Sequence, residues 1–365
     1  MSAGLRRTYI DWTRGIAVLL MIEAHTTDAW TRPLAKQSVG FRNATVLGGF
    51  AAPLFLFLAG LGVVLAASRA WQRSGSRTIA ADAVCRRGIE IFLLAFLFRL
   101  QAFVLSPGSH PITLFRVDIL NVMGPAMALT GVVWFAIANP RIRTIAYAVI
   151  ATAVTLVTPI VRASPAVDLL PTWVQWYVRP AGDHTTFTLL PWAGFVFAGA
   201  AVGSILAEIR RASAETRMHA AIALGGASMI ALGLWAAEQP SIYRSASFWT
   251  SSPTWFLIRA GVLMIALSAA YGVERLLAGR SAAAAADRRP DPLARMGRGS
   301  LFIYWIHVEL VYGYASWFWK GSLPLWATWI AFAAFSALMY AALVWRDRIA
   351  VNWTRIGRNT YQEAS

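Results

Sequence analysis

The chain has little of what soluble folds, disulfide frameworks and zinc sites need. Charged residues make up 14% of its 365 residues and hydrophobic residues 58%, a balance outside the usual range of water-soluble domains. The one cysteine, Cys85, cannot close an intramolecular disulfide, and no Cys and His spacing resembles a zinc site. The composition therefore argues against a soluble fold, and we expect neither a disulfide nor a bound metal.

Acidic residues are also scarce, at 17 against 33 lysines and arginines, which gives a formal net charge of +16. The basic residues lie in short clusters between apolar runs instead of along one continuous stripe. Such clusters are typical of the positive-inside rule for membrane proteins, whereas nucleic-acid binding favours a basic face. We therefore expect a lipid bilayer as partner and no nucleic acid.

Long apolar runs recur along the whole sequence. Runs of about 17 to 25 residues predict membrane-spanning helices, because a barrel would show short alternating strands. The prediction is a single all-α domain over residues 1–365, a polytopic integral membrane protein with about ten transmembrane helices. The predicted spans are 10–30, 46–67, 88–105, 119–138, 144–161, 187–207, 219–237, 254–273, 299–315 and 323–345.

Arginine distribution predicts the orientation. The segments on the same side as the N-terminus collect most of the arginines, and the opposite loops collect few, which predicts that both termini are cytoplasmic in a cell-membrane protein. Residues 281–292, an alanine run followed by charged residues and proline, are predicted to be a cytoplasmic linker. Residues 346–365 are predicted to be a cytoplasmic tail. Gly199 and Gly203 predict close helix packing.

The first predicted span carries an unusual polar stripe. Asp11, Arg14, His25 and Asp28 project from nearly the same face at about 100° per residue, whereas Glu23 points to roughly the opposite side and should serve a different contact. A charged residue at mid-span costs roughly 2.5 to 3.5 kcal/mol. Ionisable residues within a span face the protein interior or a water-filled cavity, so the stripe predicts a functional face.

This stripe suggests a division of roles. His25, oriented by Asp28, has the chemistry of a general base. Arg14 could hold a phosphate-bearing donor together with Arg86 and Arg87, with a thioester arm extending along the helix to His25. A second interpretation makes Arg14 a membrane anchor paired with Asp11.

Other polar residues are predicted at the depth of His25, and they suggest a polar cavity open to the outside. Arg99 or Arg259 could instead form structural ion pairs with Asp28 or Asp118. We assign a catalytic role to the histidine of this set and substrate binding to the others. The set consists of Arg99, Arg116, Asp118, Asn121, Arg259, Tyr304 and His307.

The segment from Asp11 to His25 resembles the first helix of transmembrane acyltransferases, in which an arginine and a histidine stand ten residues apart. Residues 49–60, 115–124, 190–195 and 299–307 are similar to later landmarks of the heparan-α-glucosaminide N-acetyltransferase-like family. Together the motifs cover most of the chain in order.

The resemblance implies acetyl-CoA as the cytoplasmic donor, His25 as the catalytic histidine and a sugar amine or hydroxyl as acceptor. Glu23-Ala24-His25 is closer to bacterial O-acyltransferases than to lysosomal members, so N- and O-acetylation both stay open, as does a homodimer. Two other functions are compatible with the residues. One is a proton-coupled transporter of a small solute, built on the intramembrane His, Asp and Arg residues; the other is a non-catalytic scaffold or sensor.

Overall fold

The chain is predominantly helical in the part that the computed structural model describes, which is residues 7–105, 110–280 and 291–363. This part contains no named strand, only two isolated bridges, and the predicted all-α fold is confirmed. Its α-helices are α1 (Thr8–Trp30), α2 (Val39–Gly48), α3 (Ala51–Ser74), α4 (Arg77–Leu105), α5 (Ile119–Ala136), α6 (Pro140–Ala163), α7 (Thr172–Val178), α8 (Leu189–Glu208), α9 (Ala212–Ala237), α10 (Pro253–Arg280), α11 (Pro292–Arg298), α12 (Ser300–Tyr312) and α13 (Leu325–Glu363).

Eight helical runs of the described residues are long and apolar enough to cross a membrane. The chain is thus a polytopic integral membrane protein, as predicted. Of the ten predicted spans, the first and the ninth do not meet these criteria. The first, α1, has the length of 23 residues but contains Asp11, Arg14, Glu23 and Asp28, and the ninth, α12, has only 13 residues. These two helices carry His25 and His307.

The described residues form two compact units. The first unit consists of the residues up to Ala51 together with those from Leu276 onward, and the second runs from Ala52 to Arg275. The two ends of the chain therefore share one unit.

In the first unit, α1 packs closely on the short helix α11. A Cβ atom on Gly15 would lie 2.8 Å from Leu293 Cδ1 and still closer to its carbonyl oxygen, and a Cβ on Gly297 would collide with the Asp11 carbonyl. Glycine is needed at both positions because the two backbones approach each other so closely. Asp291 begins α11 by accepting a hydrogen bond from the Ala294 amide at 2.9 Å.

The other end of α1 is fastened to α12 and α13. The Trp30 indole donates to the Val311 carbonyl at 3.2 Å, and its ring meets Phe335 edge-on at 5.5 Å. Just beyond the helix, Thr31 pairs with Leu323 in an isolated bridge. Contacts at both ends therefore set the position of α1 within its unit.

In the second unit, glycines allow several helix pairs to pack closely. A Cβ on Gly203 would lie 2.9 Å from the Leu61 carbonyl oxygen, and one on Gly199 would collide with the Phe57 carbonyl. The close packing predicted for this glycine pair is confirmed, with α3 as the partner of α8. Gly88 and Gly124 make the corresponding approach between α4 and α5.

The predicted linker 281–292 lies largely outside the described residues, which resume at Asp291. The predicted tail 346–365 begins inside α13, whose backbone is helical to Glu363.

The contact between α1 and α11 yields a prediction. Gly15→Val should lower the free energy of unfolding by about 1–3 kcal/mol, because the added side chain must push α11 away. Thermal unfolding in detergent measures the change. Gly62→Val is the matched control, since a Cβ there meets nothing within 4 Å. Equal melting temperatures for the two variants would contradict the close contact.

Candidate active site

Two histidines of the first unit face each other. His25 Nδ1, on α1, lies 2.8 Å from His307 Nε2, on α12. The rings are almost parallel, at 3°, with centroids 5.0 Å apart. His307 is completely buried, with 0% exposure. The structure thus joins two residues that the sequence assigned to catalysis separately.

Neighbouring carbonyl groups determine which nitrogens of this pair carry protons. His307 Nδ1 lies 2.9 Å from the backbone oxygens of both Ile303 and Tyr304. A carbonyl only accepts hydrogen bonds, so Nδ1 must carry the proton, and Nε2 of the neutral ring is then an acceptor. His25 therefore donates from Nδ1, which leaves its lone pair on Nε2, the nitrogen that can act as a base.

Two tyrosines of α12 flank the histidines. Tyr304 lies 5.9 Å from His307 between ring centroids. Tyr312 meets His25 edge-on at 5.6 Å, and its hydroxyl donates to Asp28 Oδ2 at 2.9 Å. Tyr312 was not predicted, because a position five residues after His307 lies about 140° away around the helix, and periodicity does not place it beside His25.

Asp28 is also held by Lys36, which donates to its backbone oxygen at 2.5 Å and to Oδ1 at 3.4 Å. Its side chain is 62% exposed. Among these contacts, Asp28 thus reaches His25 through Tyr312: it accepts a hydrogen bond from the Tyr312 hydroxyl, and the Tyr312 ring meets the His25 ring. The prediction that Asp28 itself orients His25 stays a prediction.

Glu23 serves a different contact from the histidines, as predicted. It is 2% exposed, and Oε1 accepts from the Thr27 hydroxyl at 3.2 Å. Its Oε2 has no hydrogen-bond partner among the described residues and lies against Gly48 of α2, where a Cβ would come within 2.6 Å. On α1, Glu23 therefore contacts α2, whereas His25 contacts α12.

The predicted donor-binding arginines are all ion-paired. In the first unit, Arg14 lies 3.4 Å from Asp11, the pairing that the anchor interpretation expects. In the second unit, Arg86 pairs with Asp82 and Arg87 with Glu90, each at 2.8 Å. These last two arginines are 73% and 50% exposed, so neither is committed to a buried contact.

Three of the predicted substrate-binding residues form one network in the second unit. Arg99 pairs with Asp118 at 2.5 Å, and both side chains are largely buried. Asp118 caps α5, and its amide donates to Asn121 Oδ1 at 2.9 Å. Asn121 donates in turn to the Tyr177 hydroxyl at 3.3 Å. Burial raises the pKa of Tyr177, and the hydrogen bond from Asn121 opposes that shift, so the phenol stays a neutral hydrogen-bonding group.

Tyr177 also lines a cavity of about 600 Å³ whose walls are aromatic. The rings come from α4, from the turn before α5 and from α7. The lining residues are Phe92, Phe96, Phe115, Trp173, Trp176 and Tyr177.

The two remaining predicted residues of the second unit, Arg116 and Arg259, have the following contacts. Arg116 donates to the Thr186 hydroxyl at 3.0 and 3.2 Å. Arg259 is 8% exposed, and its guanidinium lies 4.8 Å from the centroid of the Trp255 ring. The structure thus joins Arg99, Asp118 and Asn121, and it gives Arg116 and Arg259 partners of their own.

Comparison with known families places this chain. The heparan-alpha-glucosaminide N-acetyltransferase catalytic family matches residues 6–240. The chain belongs to this family. It is a membrane acetyltransferase, and the resemblance seen in the sequence is confirmed. The comparison with curated proteins gives no match.

The matched residues of this heparan-α-glucosaminide N-acetyltransferase family member include Arg14, His25 and the network around Asp118. His307, Tyr304 and Arg259 lie beyond residue 240. Of the histidine pair of this acetyltransferase, His25 thus lies within the matched region and His307 lies outside it.

The network of the second unit yields a prediction for this acetyltransferase. Asp118→Asn should lower the free energy of unfolding by about 3 kcal/mol, because Arg99 is left buried without its counter-ion. Asparagine is also a good helix N-cap, so the cap of α5 is retained. The loss in free energy of unfolding therefore measures the removal of the ion pair between Arg99 and Asp118.

A double-mutant cycle with Arg99→Gln, measured by thermal unfolding in detergent, gives the coupling energy of the pair. The same cycle on the exposed pair Arg87 and Glu90 is the control, with an expected coupling of about 0.5 kcal/mol or less. Equal couplings in the two cycles would contradict a buried ion pair at Asp118.

Proposed function

We propose that this protein transfers an acetyl group from acetyl-CoA to the amine or hydroxyl group of a sugar-bearing acceptor, with His25 as the general base. The hydrogen bond between His25 and His307 is the observation that carries the proposal. It leaves the His25 lone pair on Nε2, and the 2.8 Å contact holds the ring in position. A base with a fixed ring orientation is what acyl transfer needs.

The proposed reaction balances as follows. The acceptor nitrogen or oxygen attacks the thioester carbonyl carbon while its proton passes to His25 Nε2. The carbon–sulfur bond then breaks, the acetyl group remains on the acceptor as an amide or ester, and the His25 proton passes to the departing CoA sulfur. During the step, His307 Nε2 accepts from His25 Nδ1–H and stabilises the imidazolium.

Proposed roles for the other residues follow from their contacts. Tyr304 and Asp28 belong to the histidine surroundings in the first unit, Asp28 through Tyr312. We keep Arg99, Arg116, Asp118, Asn121 and Arg259 as acceptor-binding residues, and Arg14, Arg86 and Arg87 as residues for the phosphates of the donor. The exposure of Arg86 and Arg87 supports contact with a cytoplasmic ligand.

We also propose that both termini are cytoplasmic and that the protein lies in the cell membrane. The arginines of the first unit support this orientation, because Arg295, Arg298 and Arg346 group with Arg14 near the start of α1. Donor binding on that side would place the thioester about 16 Å along α1 from Arg14, near His25.

Purified protein tests the proposal. His25→Ala should lower the rate of CoA release in the presence of acceptor by about 10²–10⁴-fold, the usual contribution of a general base. His110→Ala is the control, because His110 is an exposed histidine that forms local hydrogen bonds with Ile112 and Thr113. An active His25→Ala variant would remove His25 from the mechanism, and solute uptake without acetyl-CoA would favour the transporter.

The partner histidine gives a separate prediction. His307→Ala removes the acceptor for His25 Nδ1–H and should cost about 10²-fold in kcat. His307→Gln should recover part of that loss, because its amide oxygen can still accept. Melting temperatures of both variants control for folding. Equal kcat values for wild type and His307→Ala would contradict the role of the pair.

A further inference from the structure

Four arginines share two carboxylates in the first unit. Asp11 lies 3.4 Å from Arg14 and 3.6 Å from Arg298. Asp347 lies 2.9 Å from Arg295 and 2.6 Å from Arg346. Each acid thus serves two guanidinium groups, and each group of three carries a net charge of +1. We name these six residues the arginine cluster.

A further acid, among the residues that the structure describes, contacts neutral donors. Asp291, at the start of α11, accepts from the Trp12 indole at 2.5 Å and from the Ala294 amide at 2.9 Å. Both of these donors are neutral groups. The arginine cluster keeps an excess of two positive charges.

The backbone fixes the positions of these arginines. Arg295 and Arg298 lie one turn apart on α11, whose Gly297 packs against the backbone of α1 at Asp11. On the other side, Gly299 packs against Leu343 of α13, where a Cβ would lie 2.8 Å from Cδ2. The Arg346 guanidinium stacks 4.7 Å from the centroid of Phe302. The surplus charge is therefore on a preorganised surface shared by α1, α11 and α13.

The guanidinium groups are accessible to a ligand. Arg298 and Arg346 are 44% and 41% exposed, and Arg14 and Arg295 are 28% and 27% exposed. Guanidinium binds phosphate oxygens through paired hydrogen bonds. A rigid, accessible surface with surplus guanidinium charge suits a ligand that carries more than one phosphate.

We propose that the arginine cluster binds the phosphorylated nucleotide end of the donor thioester, with Arg298 and Arg346 as its main contacts. The inference rests on the proposed function, since it assumes a CoA donor. Its position fits that chemistry, because Arg14 of the cluster lies about 16 Å from His25 along α1, a distance of the order of an extended pantetheine arm. Arg295, Arg298 and Arg346 all lie beyond the family match, which ends at residue 240.

Donors with and without phosphates test the inference in the purified full-length protein. For Arg298→Gln and Arg346→Gln, KM for acetyl-CoA should rise roughly tenfold, the usual size of losing one hydrogen bond to a charged group. KM for S-acetyl-pantetheine, which has no phosphate, should stay unchanged, as should kcat. Arg73→Gln is the control, because Arg73 is an exposed arginine at the end of α3 outside the cluster.

A binding assay separates this inference from the proposed function. CoA should raise the melting temperature of the wild type and pantetheine should not; Arg298→Gln should reduce the shift caused by CoA, and Arg298→Lys should reduce it less. If the wild type releases no CoA from acetyl-CoA but still shows this pattern, the catalytic proposal fails and the phosphate site stands. If transfer depends on His25 but both donors have the same KM in all variants, the phosphate site is wrong and the catalytic proposal stands.

A lipid headgroup is another source of the phosphate groups that the arginine cluster could bind. Nanodiscs containing phosphatidylglycerol or only phosphatidylcholine distinguish the two ligands. If Arg298→Gln weakens the retention of phosphatidylglycerol and leaves KM for acetyl-CoA unchanged, the cluster binds lipid and the donor assignment is overturned.

Discussion

The hydrogen bond between His25 and His307 is the interaction on which the account of this protein depends. Both rings are polar groups on helices of a membrane protein, where an unpaired donor or acceptor is costly. The Ile303 and Tyr304 carbonyls fix the proton on His307 Nδ1, and this choice propagates through the ring to His25. A short relay of hydrogen bonds thus places the lone pair of the neutral His25 ring on Nε2, the nitrogen to which the proposal assigns proton transfer.

The two helices that carry the histidine pair combine polar residues or short length with a position in a membrane protein. α1 must carry an arginine, a histidine and acids, and α12 is only 13 residues long, so neither is a favourable membrane span by itself. Close packing with α11 through Gly15 and Gly297, and the contacts of Trp30, hold α1 in its unit.

The sequence predicted a large part of this arrangement. Helical class, membrane character and family followed from run lengths and motifs, and the polar face of α1 followed from helical periodicity, including the separate direction of Glu23. The partner of His25 did not, because His307 is 282 residues away and periodicity says nothing about contacts between distant helices. For the same reason the ion pair of Arg99 with Asp118 was one alternative among several. Tyr312 and the arginine cluster depend on how the last helices fold back onto α1, which local patterns do not encode.

Nitrogen-15 solid-state NMR on histidine-labelled protein in lipid tests the central claim most directly. The chain has five histidines, so substitution of His110, His184 and His219 leaves the signals of the pair. At a pH where both rings are neutral, the account predicts that both carry their proton on Nδ1, with Nε2 unprotonated. A proton on His25 Nε2 in that state would contradict it, because the nitrogen assigned to proton transfer would then have no lone pair to offer.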